Sequence, residues 1–251
     1  MSLSVDLNAD LGEGANHDQE LLALVTSANI ACGLHAGNAS LIRESILAAR
    51  DRGVAIGAHP SFDDRANFGR REILLPAHEI FALVVYQLGA FLAIARAFEI
   101  PARHVKPHGA LYNLAARDEQ TADAVARAVR AVDPTLILFA PAASALSRAA
   151  ESNELRVARE VFADRNYMPD GSLVPREHPQ ALLHDAEEAA NRVFRMLRES
   201  KVRAIDGSDV EVTADTICLH GDTPGAVEFA RALRLCLSQT GIIIASPGAS
   251  A

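Results

Sequence analysis

The chain has 251 residues, of which 49% are hydrophobic and 22% are charged, and its formal net charge is −8. A chain of this size can bury a large core, so a single domain over residues 1–251 is expected. The acidic balance and the lack of any long basic run exclude the electrostatic footprint of a nucleic-acid-binding protein. No nucleic-acid partner is therefore expected.

Seven short runs rich in valine, isoleucine and leucine alternate along the chain with longer segments of helical periodicity. This alternation is typical of strand-helix units around a parallel sheet. Polar residues follow many of these runs instead of gathering at one point, which favours a closed (β/α) barrel over an open doubly wound sheet. The predicted strands cover residues 3–8, 27–31, 54–58, 104–106, 136–140, 157–162 and 216–219.

Helix signals lie between the predicted strands. Ser40 is a suitable N-cap for a helix that ends at Gly53, and Thr223 followed by Pro224 is a second cap. Residues 119–132 place alanine and valine side chains along one helical stripe, which predicts a helix that faces the core.

The longest uncharged apolar run lies between Glu79 and Arg96. Gln87 and Gly89 interrupt it, and it is too short to cross a hydrocarbon core of roughly 30 Å, so a buried helix is predicted. The chain begins without the basic start and apolar region of a signal peptide. A cytoplasmic location without membrane association is therefore predicted.

One segment departs from the alternation of strands and helices. Asp206 and Gly207 suit the positive backbone angles of a tight turn, and apolar residues flank them on both sides. A small β-hairpin insertion is therefore predicted near residues 202–213.

The first predicted strand carries a regular polar face. Asp6, Asn8 and Asp10 alternate with apolar residues, so all three lie on one side of the strand. In a barrel the apolar side meets the helices, which places the polar triplet inside. Buried carboxylates are costly unless a ligand, a metal or a basic partner satisfies them.

Four histidines closely follow predicted strands, namely His35, His59, His108 and His220. The carboxyl ends of parallel barrel strands meet at one rim, where barrel enzymes have their active sites. Together with Asp10, these imidazoles can either bind a divalent metal or act as general acids and bases, and the sequence leaves both uses open. If a metal binds, Asp10, His35 and His59 are its candidate ligands.

Further polar groups lie near the same strand ends. Lys106 lies in an apolar strand, where it either pairs with Asp6 or Asp10 or polarises a substrate oxygen. Two loops, at residues 61–71 and 162–171, contain arginines that suit carboxylate or phosphate, with an ordinary solvated loop as the alternative. The candidate substrate-binding residues are Asn8, Arg70, Arg71, Asp164, Tyr167 and His220.

Eight ordered motifs closely resemble those of the LamB/YcsF family, and they span essentially the whole chain. The chain departs from the family's usual pattern at Asn38, where members often have aspartate, and at Asn166, where they often have glycine. The first departure weakens any role for a carboxylate at position 38. The motifs are DLNADLGEG at 6–14, SANIACGLHAGN at 27–38, GAHPSF at 57–62, NFGRR at 67–71, VKPHGALYN at 105–113, VFADRNY at 161–167, DGSLVPR at 170–176 and CLHGD at 218–222.

The resemblance implies an irregular β/α barrel of the glycoside hydrolase/deacetylase type, commonly with seven strands. It also implies the function of the first subunit of an ATP-dependent 5-oxoprolinase, which opens the lactam 5-oxoproline to glutamate together with two further subunits, B and C. ATP is then a cofactor of the complex. The chain has neither a GxGxxG nor a GxxxxGK[ST] motif, so ATP can bind wholly or partly on the partners.

In lactam opening, Asp10, His59 and His108 are expected to move protons or to hold a metal. Lys106 is expected to stabilise developing negative charge, and the loop arginines Arg70 or Arg71 to bind carboxylate or phosphate. Two other functions compete with this one. They are a stand-alone metal-dependent amidase or deacetylase on the same barrel, and a non-catalytic scaffold within the complex.

Overall fold

A computed structural model describes residues 3–175, 177–183, 185–219 and 225–248 of the chain. The described residues form ten strands, and seven of them, β1 to β6 and β9, are parallel neighbours. The last of these, β9, pairs with both β6 and β1, which closes the barrel. The predicted seven-stranded barrel is confirmed. The strands are β1 (Ser4–Leu11), β2 (Ser27–Ala31), β3 (Ala55–His59), β4 (Ala102–Val105), β5 (Ile137–Pro141), β6 (Arg156–Phe162), β7 (Lys201–Arg203), β8 (Asp209–Glu211), β9 (Thr216–Leu219) and β10 (Ile243–Ile244).

Helices follow most of the barrel strands and cover the outside of the barrel. One of them matches the helix predicted at residues 119–132 in full, because its apolar stripe packs against neighbouring helices. The helices are α1 (Asp18–Leu22), α2 (Ala39–Arg50), α3 (Ala77–Ala97), α4 (Gly109–Arg117), α5 (Glu119–Val132), α6 (Ala145–Ser152), α7 (Ala186–Glu199) and α8 (Ala226–Gln239), with a short 3-10 helix at Arg65–Asn67.

The predicted hairpin is also confirmed. Strands β7 and β8 pair antiparallel, with Val202 opposite Val210. Asp206 accepts hydrogen bonds from the backbone N–H and the hydroxyl of Ser208, and Gly207 has the positive φ of 86° that the turn requires. The short strand β10, which extends one edge of β1 at its amino end, was not predicted.

The alternation in β1 places its side chains as predicted. Val5, Leu7, Ala9 and Leu11 are buried in the core between strands and helices. The intervening polar residues lie inside the barrel, where Asp6 and Asn8 are at most 1% exposed. A pleated strand in a closed barrel has one face for the helices and one for the interior, so the polar face has no solvent to meet.

Among the described residues, one helix, α3, is long and apolar enough to cross a membrane. This finding corrects the prediction that the run between Glu79 and Arg96 is too short to do so. A core helix of a globular barrel meets the same two criteria, and α3 buries one face and packs against α5. The buried side chains of α3 are Ile80, Val84, Gln87, Leu88, Phe91 and Ala95.

The start of α2 corrects another prediction, because its N-cap is Asn38 and not Ser40. The side-chain oxygen of Asn38 accepts a hydrogen bond from the backbone N–H of Leu41 at 3.0 Å, while Ser40 lies inside the helix. Asn38 has extended backbone angles, as N-cap residues do. The second predicted cap, at Thr223 and Pro224, lies outside the described residues.

We expect Asn38→Ala to lower the free energy of unfolding by about 1 kcal/mol, because the N–H of Leu41 loses its acceptor. Asn38→Asp keeps that acceptor and is expected to have the stability of the unchanged protein. Urea unfolding of the three proteins measures both effects. Equal midpoints for Asn38→Ala and Asn38→Asp would contradict the cap.

Asp6 lies in the barrel interior, where hydroxyl groups satisfy its carboxylate. Thr26, Ser27 and Thr216 donate to it over distances of 2.5 to 2.8 Å. Burial nevertheless raises the pKa of Asp6 to about 6, and the nearby Glu160 raises it further, against the lowering effect of the hydroxyl groups. The folded protein therefore holds a proton on Asp6 at a pH where the unfolded chain has lost it.

Because the folded pKa exceeds the unfolded value of 3.8, the contribution of Asp6 to stability falls as the pH rises between those two values. We expect the free energy of unfolding to fall by roughly 3 kcal/mol relative to an Asp6→Asn variant as the pH rises across this window. Urea unfolding of both proteins at several pH values checks this. A difference between them that does not change with pH would contradict it.

Candidate active site

A cavity of about 1020 Å³ lies at the carboxyl ends of the barrel strands. Four strand ends contribute polar groups to its wall: Asp10 of β1, His59 of β3, Lys106 after β4 and Glu160 of β6. The first three were predicted from the sequence, and Glu160 was not. The loops after β3 to β6 and the hairpin strand β8 complete the wall, with residues such as Arg70, Tyr112, Ser144, Tyr167, Leu173 and Val210.

Lys106 lies at the centre of this polar wall. Its ammonium group is 3.0 Å from Asp10 Oδ1 and 3.0 Å from Glu160 Oε1, and it is 2.9 Å from Cys218 Sγ. Burial by itself would lower the pKa of Lys106, but Asp10, Cys218 and Glu160 outweigh burial and hold the pKa well above its usual value. Of the two acidic partners considered from the sequence, the structure selects Asp10, since Asp6 bonds to hydroxyl groups instead.

Asp10 is held in place by neutral as well as charged groups. Its Oδ1 accepts hydrogen bonds from Lys106 and from Asn29 Nδ2, the latter at 2.8 Å. Its Oδ2 lies 3.4 Å from His59 Nε2. Asn8 lies one layer deeper, fully buried, and donates to Glu160 Oε1 at 3.0 Å. The predicted polar triplet therefore forms one hydrogen-bonded network and not a set of separate contacts.

The histidines His59 and His108 have defined tautomers because each bonds to a backbone carbonyl. His59 Nδ1 is 2.6 Å from the carbonyl oxygen of Lys106, and His108 Nε2 is 2.9 Å from that of Phe68. A carbonyl oxygen only accepts, so both of these nitrogens carry the N–H. The remaining nitrogens, His59 Nε2 and His108 Nδ1, then face each other with lone pairs at 3.0 Å. Two lone pairs at that distance repel each other unless a cation lies between them.

Glu13 and His35 complete a cluster around these two nitrogens, which we call the Glu13 cluster: Glu13, His35, His59 and His108. Glu13 Oε1 is 3.0 Å from His35 Nε2 and 3.3 Å from His108 Nδ1, and the four ligand atoms all lie within 4.8 Å of one another. The rings of His35 and His108 are stacked, with their centroids 3.9 Å apart. Three imidazoles and one carboxylate are a suitable donor set for a divalent transition metal.

The protonation of the cluster supports metal binding. Burial lowers the pKa of His108 well below its usual value and that of His35 to about 3, and neighbouring histidines lower both further. Metal ligation requires the neutral imidazole, so these histidines need not lose a proton to bind an ion. The predicted ligands His35 and His59 belong to the cluster, and Asp10 lies beside it.

The loop after β3 packs against the histidines of the Glu13 cluster through Phe68. Phe68 has left-handed backbone angles, its carbonyl accepts the hydrogen bond from His108, and its ring meets the rings of His35 and His108 edge-on. Gly69 follows with φ of 64°, and a Cβ atom there would lie 2.2 Å from Ser61 Oγ. The glycine in the NFGRR motif is therefore required by both backbone and packing.

Only some of the candidate substrate-binding residues line the cavity. Arg70 lines the cavity, with its guanidinium 5.1 Å from the Phe68 ring centroid, while the side chain of Arg71 is 67% exposed and lies 3.9 Å from Asp64. Tyr167 lines the cavity as well, and its hydroxyl oxygen accepts from the backbone N–H of Phe162. Asp164 is buried nearby in the loop after β6, and His220 lies outside the described residues.

Three functional candidates were missed in the sequence, namely Glu13, Tyr112 and Glu160. The side chain of Glu160 is fully buried, and its Oε2 accepts a hydrogen bond of 2.6 Å from the hydroxyl of Tyr112. A signal for Glu160 was present, because it shares the two-residue alternation of Ala158 and Phe162 inside an apolar strand. Glu13 had a weaker signal, a carboxylate in the loop directly after β1.

These features define an α/β barrel in which carboxylates, imidazoles and one lysine converge at the carboxyl ends of the strands, where barrel enzymes have their active sites. The chain matches the LamB/YcsF family over residues 5–250 and belongs to that family. The predicted family membership is thereby confirmed.

The structure is similar to that of a lactam utilization protein from Thermus thermophilus, with 47% sequence identity and a TM-score of 0.92 over 97% of this chain and 99% of that one. Two other solved structures are more distant. A family 4 carbohydrate esterase from Streptomyces lividans has 10% identity and a TM-score of 0.48 over 96% of this chain and 91% of that one. A peptidoglycan deacetylase from Bacillus subtilis has 10% identity and a TM-score of 0.49 over 98% and 88%, respectively. At these values neither likeness bears on the chemistry of the site.

Proposed function

We propose that this chain is the first subunit of an ATP-dependent 5-oxoprolinase, a hydrolase that opens the lactam ring of 5-oxoproline to glutamate. Membership of the LamB/YcsF family and the likeness to a lactam utilization protein support this proposal. The observation that carries it is the meeting of Asp10, Lys106, Glu160 and the Glu13 cluster on the wall of one cavity.

Opening a lactam requires three things from a site, because its amide is stabilised by resonance. The carbonyl oxygen must be polarised, a water must be activated, and the ring nitrogen must receive a proton. In the proposed mechanism Asp10 Oδ2, which faces His59 at 3.4 Å, accepts the proton of the attacking water and returns it to the ring nitrogen as the C–N bond breaks. One of the inward lone pairs, on His59 Nε2 or His108 Nδ1, accepts the second hydrogen bond of that water and holds it in line. Lys106 pairs with the carboxyl groups of both Asp10 and Glu160 through contacts of 3.0 Å.

The Glu13 cluster would hold a divalent metal through its carboxylate and its three imidazoles. When bound there, such an ion supplies Lewis acidity toward a carbonyl oxygen and lowers the pKa of a coordinated water. The bare nitrogens of His59 and His108, which face each other at 3.0 Å, are the feature of the chain that fits an ion best.

The carboxylate of 5-oxoproline is proposed to bind at Arg70, which is better placed than Arg71 because it lines the cavity beside the cluster. ATP is proposed to activate the lactam oxygen, and it would bind wholly or partly on subunits B and C. The proposed complex works in the cytoplasm on a small lactam, without nucleic acid or membrane.

A second function, a stand-alone metal-dependent amidase or deacetylase, is favoured by the Glu13 cluster itself. Such an enzyme would act on simple N-acetyl substrates without ATP, and it would lose activity when a chelator is added. A scaffold without catalytic groups would instead leave the assembled complex fully active after Asp10→Ala and His59→Ala.

Mixing the purified chain with candidate subunits B and C, and measuring glutamate from 5-oxoproline with and without ATP, tests the proposed function. Glutamate is expected only when all three proteins and ATP are present. Glutamate formation by subunits B and C without this chain would refute the proposal, and so would ATP-independent deacetylation by this chain as its sole activity.

A further inference from the structure

Tyr112 and Glu160 form a buried pair in the cavity wall that the proposed proton transfers do not use. Tyr112 belongs to α4 and Glu160 to β6, and both line the cavity. The Tyr112 hydroxyl lies 2.6 Å from Glu160 Oε2, and the Tyr112 residue is 5% exposed. A contact this short is typical of a hydroxyl that donates to a carboxylate.

The direction of this hydrogen bond follows from the other contacts of Glu160. Its Oε1 accepts from the Lys106 ammonium and from Asn8 Nδ2, both at 3.0 Å, and its Oε2 accepts from the Tyr112 hydroxyl. Burial raises the pKa of Tyr112 well above its usual value, and the charge of Glu160 raises it further. The phenol therefore keeps its proton and directs it at Glu160. Its oxygen is left with lone pairs alone.

We infer that Tyr112 is a specificity-determining residue whose hydroxyl oxygen accepts the ring N–H of the lactam substrate. The inference rests on the proposed function, which it deepens by naming the group that distinguishes a cyclic amide from a cyclic ester. A lactam presents a donor at the ring position next to its carbonyl, whereas a lactone presents an acceptor there. A site whose free atom only accepts stabilises the first and repels the second.

The position of the pair suits this role. Contacts of 2.6, 3.0 and 3.0 Å connect Tyr112 to Glu160, Glu160 to Lys106, and Lys106 to Asp10. A ring nitrogen that donates to Tyr112 would thus bind at one end of a chain of contacts that has Asp10 at its other end. The same contact that selects the lactam also orients it for attack.

The test compares 5-oxoproline with its lactone counterpart, in which oxygen replaces the ring N–H, as substrate and competitive inhibitor of the complex assembled with subunits B and C and ATP. For Tyr112→Phe we expect the Michaelis constant for the lactam to rise about tenfold while the inhibition constant of the lactone stays or falls. Tyr86→Phe is the control, because Tyr86 is 66% exposed on α3, away from the cavity wall, and it is expected to leave both constants unchanged.

A second variant, Glu160→Gln, reverses the polarity of the pair without changing its shape. Lys106 and Asn8 require an oxygen opposite them, so the new amide nitrogen faces Tyr112 and donates to it. The phenol proton is then free to point into the cavity, and we expect the ratio of constants to shift toward the lactone by about tenfold or more. Thermal unfolding of each variant establishes that it is folded.

The outcomes separate the two proposals. If the unchanged complex does not convert 5-oxoproline, the proposed function fails, and this inference fails with it. If the unchanged complex is active but Tyr112→Phe weakens both ligands equally, or Glu160→Gln leaves their ratio unchanged, Tyr112 has only a structural role and the inference is overturned.

Discussion

Lys106→Met is expected to lower the free energy of unfolding by about 3–5 kcal/mol, because it removes one partner from a buried ionic cluster. Methionine fills a similar volume but carries no charge. The carboxylates of Asp10 and Glu160, both 3.0 Å from the ammonium, would then be left without their cation in the barrel interior. Urea unfolding at neutral pH measures the loss, and turnover of 5-oxoproline by the assembled complex is expected to fall with it.

A rescue variant separates the loss of charge balance from the loss of packing. Adding Asp10→Asn and Glu160→Gln to Lys106→Met removes the unpaired charges and is expected to recover a large part of the stability but none of the activity. Lys201 is the other lysine of the chain, and Lys201→Met in the hairpin is the control, with an expected change within roughly 0.5 kcal/mol. Equal effects of Lys106→Met and Lys201→Met would contradict the central role of Lys106.

His108→Ala and His59→Ala are each expected to weaken binding of a divalent transition metal such as Zn²⁺ by about 100-fold or more. Each substitution removes one of the two inward nitrogens that face each other at 3.0 Å. The dissociation constant of the purified chain, measured by calorimetry or by competition with a chelator, tests this without any assay of activity. The unchanged protein is also expected to melt at a lower temperature after the metal is removed.

His78 provides the control for the metal measurement, because it is exposed at the start of α3, outside the Glu13 cluster. His78→Ala is expected to bind the metal as the unchanged protein does. If the unchanged protein binds no divalent ion, a proton and not a metal separates the lone pairs of His59 and His108. That result would remove the metal from the proposed mechanism and the amidase alternative with it.

Local patterns in the sequence predicted the barrel and the end of it at which the site lies. The period of two in β1 placed Asp6, Asn8 and Asp10 inside, and the position of His59 and His108 after strands placed them at one rim, near Asp10. These predictions succeed because strand periodicity and the order of strand-helix units are properties of neighbouring residues. The hairpin turn at Asp206 and Gly207 was predictable for the same reason, because it depends on neighbouring residues alone.

Local competition between similar residues was harder to predict. Asn38 and Ser40 are both good N-caps, and the choice between them depends on where α2 leaves the loop after β2. Gln87 interrupts the apolar run in the sequence, but α3 continues through it, because its side chain bonds to the backbone of Ser61 and is tolerated in a buried face. The partner of Gln87 belongs to another part of the fold, so the run of residues around it could not reveal it.

The sequence by itself determined the family, the closed barrel and the presence of carboxylates and imidazoles at its carboxyl end. Only the tertiary structure decided which of these groups act together. Lys106 contacts Cys218, which is 112 residues away in the sequence, and Glu160 contacts Asn8, which is 152 residues away. No periodic pattern in the sequence predicts such pairs. The membership of Glu13 in the cluster, the tautomers of its histidines and the direction of the Tyr112 hydrogen bond depend on contacts between separate strands and loops, because donors and acceptors acquire their partners only when the barrel closes.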